Sequence, residues 1–188
     1  MNKNFIISIK YLLLSTLIFG LLYTFLITGI GHVLFKHKAT GSIIRSNGTV
    51  LGSALIAQKF SDPKFFWGRP SAGGYETIPS SASNYGATSK DLKKNIDDRF
   101  NELKKFYPEL TIESTPPELL LASGSGLDPD INPQTAIFQI DRIMKVRALP
   151  VDKKETLVDL VKKHTNKKLV NVLELNLDLE RLLNGKQL

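Results

Sequence analysis

The chain has 188 residues, 42% hydrophobic and 23% charged, with 25 Lys and Arg against 18 Asp and Glu and no Cys. That length holds one ordinary domain and an appendage, and the missing thiols exclude disulfides, thiol catalysis and thiolate metal sites. The formal charge of +7 is no polyanion footprint: Lys3, Lys10, Lys36 and Lys38 supply much of it within a stretch that holds no acid, so nucleic acid is not expected as a partner.

Residues 1 to 10 read as a short tail. From Tyr11 to Phe35 there are 25 residues without Asp, Glu, Lys or Arg, and about 20 suffice to cross a bilayer core. A cleaved signal peptide would have an apolar stretch of about 7–15 residues ending at a small-residue site. None is evident, so an uncleaved anchor in contact with lipid is expected. Lysines flank the span on both sides, and charge leaves its orientation open. Inside it Thr16, Gly20, Thr24, Thr28 and His32 recur every four residues. On an α-helix this spacing draws a slanting ridge of small and polar groups that lets a second membrane helix approach; alternatively, the threonines bond back to their own helix.

Residues 36 to 188 read as one soluble domain of α+β class. Ile43-Ile44 and Val50-Leu51 predict two short strands joined at Asn47-Gly48, because Asn-Gly readily takes the positive φ of a hairpin turn. Ser61 to Ala87 is rich in Gly, Pro, Ser and aromatics and has no period. Loops of that length tend to be functional or disordered, and Phe65, Phe66, Trp67, Tyr75 and Tyr85 favour an ordered one. Self-packing and partner binding both suit this composition.

A helix follows, with Thr88 and Asp91 as a capping box, a face of Leu92, Ile96, Arg99 with Phe100, Leu103 and Phe106, and Pro108 as its stop. Glu118 to Ala122 reads as a short buried strand. Asn132-Pro133 then opens a helix as N-cap and first-turn proline, with Ala136, Ile137, Ile140, Ile143 and Met144 as its buried stripe. Asp152 and Glu155 suggest another capping box ahead of Leu157, Leu160 and Val161, and His164 suits the negative end of that helix. The chain closes with a strand of alternating Leu173, Leu175 and Leu177, then a short helix.

Between these elements lies Ala122 to Pro129, a glycine-rich turn of the kind that can cradle phosphate. A Walker loop would need Gly-x-x-x-x-Gly-Lys-Ser/Thr, and here Asp128 and Asp130 bring negative charge instead. A structural corner is the better reading. Ser123 and Ser125 lack a nearby His and a Gly-x-Ser-x-Gly elbow, and His32, His37 and His164 lack metal-ligand spacing, so the residues point to no catalytic group and no metal site.

Taken in order, a set of motifs resembles one family. They are Gly41-Ser42; Gly52-Ser53 with Leu55, Ile56, Gln58 and Phe60; Phe66-x-Gly68-Arg69-Pro70-Ser71; Ser83-Asn84; and Ser123-Gly124-Ser125-Gly126-Leu127-Asp128. Ile131-x-Pro133, Ala136, Gln139, Arg142, His164-Thr165 and Val170 to Leu177 complete the series. The chain is thereby similar, from Gly41 to Leu179, to the C chain of Kdp-type potassium-transporting ATPases, the KdpC family. Trp67 stands where a smaller or polar residue is usual, Ala82 replaces a glycine, and only Asn166 to Leu169 remain of a glycine-containing loop.

The resemblance implies a non-catalytic accessory subunit of an ATP-driven potassium importer in the inner (plasma) membrane, with a potassium-translocating chain and an ATP-hydrolysing chain as partners. ATP and potassium would be used by the complex, with no cofactor assigned to this chain. It implies a partner interface at Phe66, Gly68, Arg69, Pro70, Ser71 and Asn84. Two roles come with it. One is assembly and stabilisation from the outer face; the other is a catalytic chaperone that raises ATP affinity in a ternary complex, with nucleotide contacts at Ser123, Gly124, Ser125 and Gly126. The family's topology, N-terminus in the cytoplasm and domain outside, favours the first, since ATP is available inside.

Overall fold

A computed structural model describes residues 2–46 and 48–185. Asn47, half of the expected hairpin turn, lies outside the described residues. The chain separates into two units, Met1–Ile43 and Ile44–Leu188.

In the first unit, α1 (Lys3–Ser15), a π-helical stretch (Thr16–Leu22) and α2 (Tyr23–Leu34) run on without a break, followed by the single turn α3 (Lys36–Ala39). Lys3–Leu34 is long and apolar enough to cross a membrane. In a bilayer such a segment must be helical, because lipid offers no partner for backbone N–H and C=O groups. Phe35, at φ −130°, breaks the run. Two of the ridge residues bond back to their own helix: Thr24 donates to the Phe19 carbonyl at 3.3 Å, and His32 Nδ1 lies 3.1 Å from the Thr28 carbonyl. The π stretch holds Thr16 and Gly20 and has more residues per turn, so it shifts them relative to Thr24 and Thr28.

β1 (Ile43–Ser46), which carries the chain into the second unit, pairs with β2 (Thr49–Ser53), with Gly48 at φ +80°. After a long irregular stretch come α4 (Lys90–Lys104), the one-turn α5 (Pro117–Leu120), β3 (Asp130–Ile131), α6 (Pro133–Val146) and α7 (Lys153–His164). β4 (Thr165–Asn166), β5 (Leu169–Asn171) and α8 (Val172–Asn184) follow. The sheet order is β3-β5-β4, antiparallel, with Ile131 opposite Val170 and Thr165 opposite Val170 on the other side. The α+β class expected from the sequence is the one observed.

Two apolar clusters fill this unit. The larger joins Phe66, Ile131, Ile140, Ile143, Leu157, Val161, Val170, Leu175 and Leu179. The smaller joins Leu103, Leu119 and Leu120, with Trp67, Ile96, Phe100, Tyr107, Leu110 and Phe138 against it. Phe66 and Trp67 are consecutive, yet each enters a different cluster. That chain segment is the seam between them.

Several expectations are corrected. Glu118 to Ala122 contains no strand: Pro117 sits at the first helical position of α5, where its fixed φ suits a helix, and Leu119 and Leu120 are both buried. Val172 onward is helix, not strand. Asn171 caps it by accepting the Glu174 N–H at 3.1 Å, and Val172, Leu175, Asn176 and Leu179 form its buried face at helical spacing. The cap of α4 is Ser89, which accepts the Leu92 N–H at 3.3 Å, rather than Thr88 with Asp91; the helix ends at Lys104, leaving Phe106 beyond it.

Asp152 precedes α7 but is helical in conformation and makes no cap bond, so the second capping box is absent. Asn132 does precede α6, yet its side chain donates to Glu118 at 2.8 Å instead of capping. On α6 itself Ile137 is exposed, while Thr135, Gln139 and Arg142 are buried beside Ala136, Ile140 and Ile143. Polar groups occupy part of the stripe that was read as wholly apolar.

Candidate functional site

The polar residues buried on α6 and α8 hold the aromatic loop. Asn176 accepts the Phe66 N–H at 2.8 Å and donates to the Phe66 carbonyl at 2.9 Å. From the other side, Gln139 accepts the Trp67 N–H at 2.7 Å and donates to its carbonyl at 3.0 Å. Successive residues of an extended chain point their backbone groups to opposite sides. Two carboxamides therefore grip two adjacent residues as neighbouring strands would.

Arg142 completes the grip. Arg142 is 2% exposed, and its guanidinium donates to the Pro63 carbonyl, to the Phe65 carbonyl at 3.0 Å and to Gln139 Oε1 at 2.7 Å. Its carbon lies 3.7 Å from the centre of the Trp67 ring, a cation–π contact. Burial pushes its pKa below the ordinary arginine value, with the Tyr107 hydroxyl opposing that shift. Arg147 reinforces the same loop by donating to the Lys64 carbonyl at 2.8 Å and pairing with Glu180.

Beyond this clamp the loop meets the glycine corner. Arg69 pairs with Asp128 at 3.0 Å, and Ser123 donates its N–H to the Pro70 carbonyl at 3.0 Å. Tyr75 returns its hydroxyl to the Arg69 carbonyl at 3.0 Å and donates its N–H to Ser71 Oγ at 2.9 Å. Gly126 is required where it stands: its φ is +74°, and a Cβ there would lie 2.6 Å from the Ser81 carbonyl oxygen. Gly124 faces open space, with nothing within 4 Å of where its Cβ would be.

The corner's own amides are largely committed. Ser123 N–H goes to Pro70, Gly126 N–H to the Ser123 carbonyl at 3.3 Å, and Leu127 N–H to Ser125 Oγ at 3.0 Å. A phosphate cradle depends on amides converging on the ligand. Asp128 is taken by Arg69, while burial, with Asp128 adding to it, raises the pKa of Asp130.

Arg69, Pro70 and Ser71 are thus brought beside Ser123, Gly126 and Asp128, although more than 50 residues separate the motifs. Phe66 has no exposed surface and supports the loop from beneath. Gly68 packs on Val172, 3.6 Å from its built Cβ. Asn84 is exposed, at φ +53°. The clamping roles of Gln139, Arg142 and Asn176 escaped the reading by periodicity, and their signal was a polar residue on an apolar helical face. At the far side, His164 ends α7 and sits 2.9 Å from Asp178. Burial would raise the Asp178 pKa, but hydrogen bonds from Arg181 and His164 outweigh it and hold it below its ordinary value.

Comparison with known proteins decides the family. The profile described as "KdpC: K+-transporting ATPase, c chain" matches residues 5–181. The chain belongs to the KdpC family. Among similar proteins, the potassium-transporting ATPase KdpC subunit of Methylococcus capsulatus is 42% identical over 193 aligned positions, covering 97% of this chain and 100% of the relative. That of Bacillus cereus (strain Q1) is 40% identical over 173, covering 87% of this chain and 88% of the relative. That of Caldanaerobacter subterraneus is 39% identical over 180, with 92% of each covered. In this KdpC chain several of the motifs that carry the resemblance, Phe66 to Ser71, Ser123 to Asp128, Gln139, Arg142 and Asn176, are the loop, the corner and the clamp just described.

Proposed function

We propose that this chain is a non-catalytic subunit of a potassium-transporting ATPase that assembles and stabilises the complex, with a potassium-translocating and an ATP-hydrolysing chain as its partners. The observation that carries the reading is the disposition of the corner. The Ser123 amide and the Asp128 carboxylate hold the Phe66 to Ser71 loop, and the Gly126 and Leu127 amides close the corner on itself, so the motif serves a rigid surface rather than a ligand. Rigid, rimmed loops are the usual material of protein interfaces, where preorganisation lowers the entropy lost on binding.

In this reading Lys3–Leu34 anchors the subunit in the plasma membrane, the N-terminus is cytoplasmic and the domain lies outside. Because the sequence has no Cys, Val151→Cys, at a position 84% exposed, gives a single label site. A membrane-impermeant thiol reagent is expected to label it in intact cells whose outer face is accessible. Labelling seen after lysis alone would put the domain in the cytoplasm and overturn the topology.

The second reading, a chaperone that raises ATP affinity, draws on the exposed tip at Gly124. Gly124→Val adds bulk there without displacing a neighbour. The assembly reading expects the ATP affinity of the complex to survive it; a clear loss would favour the chaperone role.

A further inference from the structure

Arg99, on α4, lines two cavities. One, of about 330 Å³, is bounded by Lys59, Trp67, Pro70, Tyr75 and Glu102 among others. The other, of about 380 Å³, is bounded by Ser71, Ser83, Tyr85, Asn95 and Ala122 among others. Arg99 Nη1 donates to the Leu120 carbonyl at 2.6 Å, which fixes the guanidinium without neutralising it. None of the ion pairs among the described residues involves Arg99.

The polar groups around the second cavity are uncharged apart from Arg99. Its lining offers the hydroxyls of Ser71, Ser83 and Tyr85 and the amide of Asn95, and it contains no acidic residue. Glu102, one turn along α4, lines the first cavity instead. Burial pushes the Arg99 pKa below the ordinary arginine value, as befits a cation stripped of part of its water. Half-buried charge with donors around it and no counter-ion is poised for an anion.

The rim indicates what kind. Besides its polar groups the cavity is lined by Leu92 and Ala82, and Tyr85, which also lines it, is 42% exposed. Apolar side chains bordering a charged hole suit a polypeptide surface, with its own apolar groups beside an acid, better than a free ion. We propose that this cavity receives an Asp or Glu carboxylate from another subunit of the complex, with Arg99 as the ionic anchor and Ser83, Tyr85 and Asn95 as flanking donors. This rests on the assembly reading above and gives it a site.

The test uses the whole complex, purified through a tag on the ATP-hydrolysing chain. The C chain is present as wild type, as Arg99→Gln, as Arg99→Lys, or absent. Retention of the C chain through a salt wash is expected to fall on the order of tenfold for Arg99→Gln, which loses the charge, and within about threefold for Arg99→Lys. Ser83→Ala with Tyr85→Phe removes flanking donors with little risk to the fold, and is expected to weaken retention about threefold. A water-soluble carbodiimide, itself hydrated to its urea, should join the new amine of Arg99→Lys to the partner's carboxylate as an amide. That cross-link, mapped to position 99, is expected in the Lys variant and in neither wild type nor Arg99→Gln.

Unchanged retention in Arg99→Gln, or equal loss in the Gln and Lys variants, overturns the carboxylate site while leaving assembly standing, provided the complex without the C chain falls apart. A complex equally stable without the C chain overturns both. Stabilisation of the wild-type chain, but not Arg99→Gln, by inorganic phosphate or ATP in thermal unfolding marks a small-anion site and overturns the proposal.

Discussion

Asn176, on the last helix, holds both backbone polar groups of Phe66 with its one side chain, at 2.8 and 2.9 Å, across 110 residues of sequence. Neither group has water to fall back on, since Phe66 and Asn176 are both buried. Asn176→Ala leaves an N–H and a C=O buried without partners, each worth about 1–3 kcal/mol. The expected loss is about 2–5 kcal/mol in urea unfolding of the detergent-solubilised chain. Asn176→Asp, which retains the acceptor and loses the donor, is expected to be destabilising too.

Arg142 lies 3.7 Å from the centre of the Trp67 ring, and Trp67 is the chain's one tryptophan. Its fluorescence therefore reports on the clamp. Arg142→Ala removes the donor to three oxygens and the ring's stacking partner, and a loss of about 3–5 kcal/mol is expected with a shifted emission maximum. Arg142→Lys keeps a charge but not the planar fork, so it should recover less than the full stability.

The two middle glycines of the corner should behave differently. Gly126→Ala combines a positive φ with a Cβ 2.6 Å from a backbone oxygen, and about 1–3 kcal/mol of destabilisation is expected. Gly124→Ala enters open space and is expected to stay within about 0.5 kcal/mol of wild type. Thermal unfolding of the pair, side by side, measures the difference. Equal effects would mean that the corner is not packed against Ser81.

Two carboxylates give opposite pH dependences. Asp130 has its pKa raised by burial and by Asp128. Its ionisation opposes folding above that raised value, so Asp130→Asn is expected to stabilise at neutral pH, with the gain shrinking as the pH falls. Asp178 has its pKa held below 3.8 because bonds from Arg181 and His164 outweigh burial. Its contribution is full above the unfolded value and lost as the pH falls through the lowered one. Asp178→Asn should lower stability at neutral pH by on the order of 1 kcal/mol and converge with wild type in acid. Unfolding curves across the acid range distinguish the two.

Local signals carried the elements whose physics is local. The absence of charge from Tyr11 to Phe35 is a property of the stretch itself, and it marked the apolar helix. Pro133 at the head of α6 needed no distant partner to be read. The errors came where short apolar runs admit two periods. Leu173, Leu175 and Leu177 alternate as a strand would, yet Val172, Leu175, Asn176 and Leu179 are the set that packs, and packing decides between them.

What the sequence determined by itself is an apolar segment long enough to cross a membrane, an α+β domain, a corner with poor phosphate chemistry and, through its motifs, a family. Tertiary structure alone decided that Gln139 and Asn176 hold Trp67 and Phe66, that Arg142 lies over Trp67, and that Arg69 meets Asp128. The reason is separation: those partners stand 72, 110, 75 and 59 residues apart. A helix or turn follows from neighbours along the chain, whereas a buried polar group is satisfied by whatever the fold brings within about 3 Å of it.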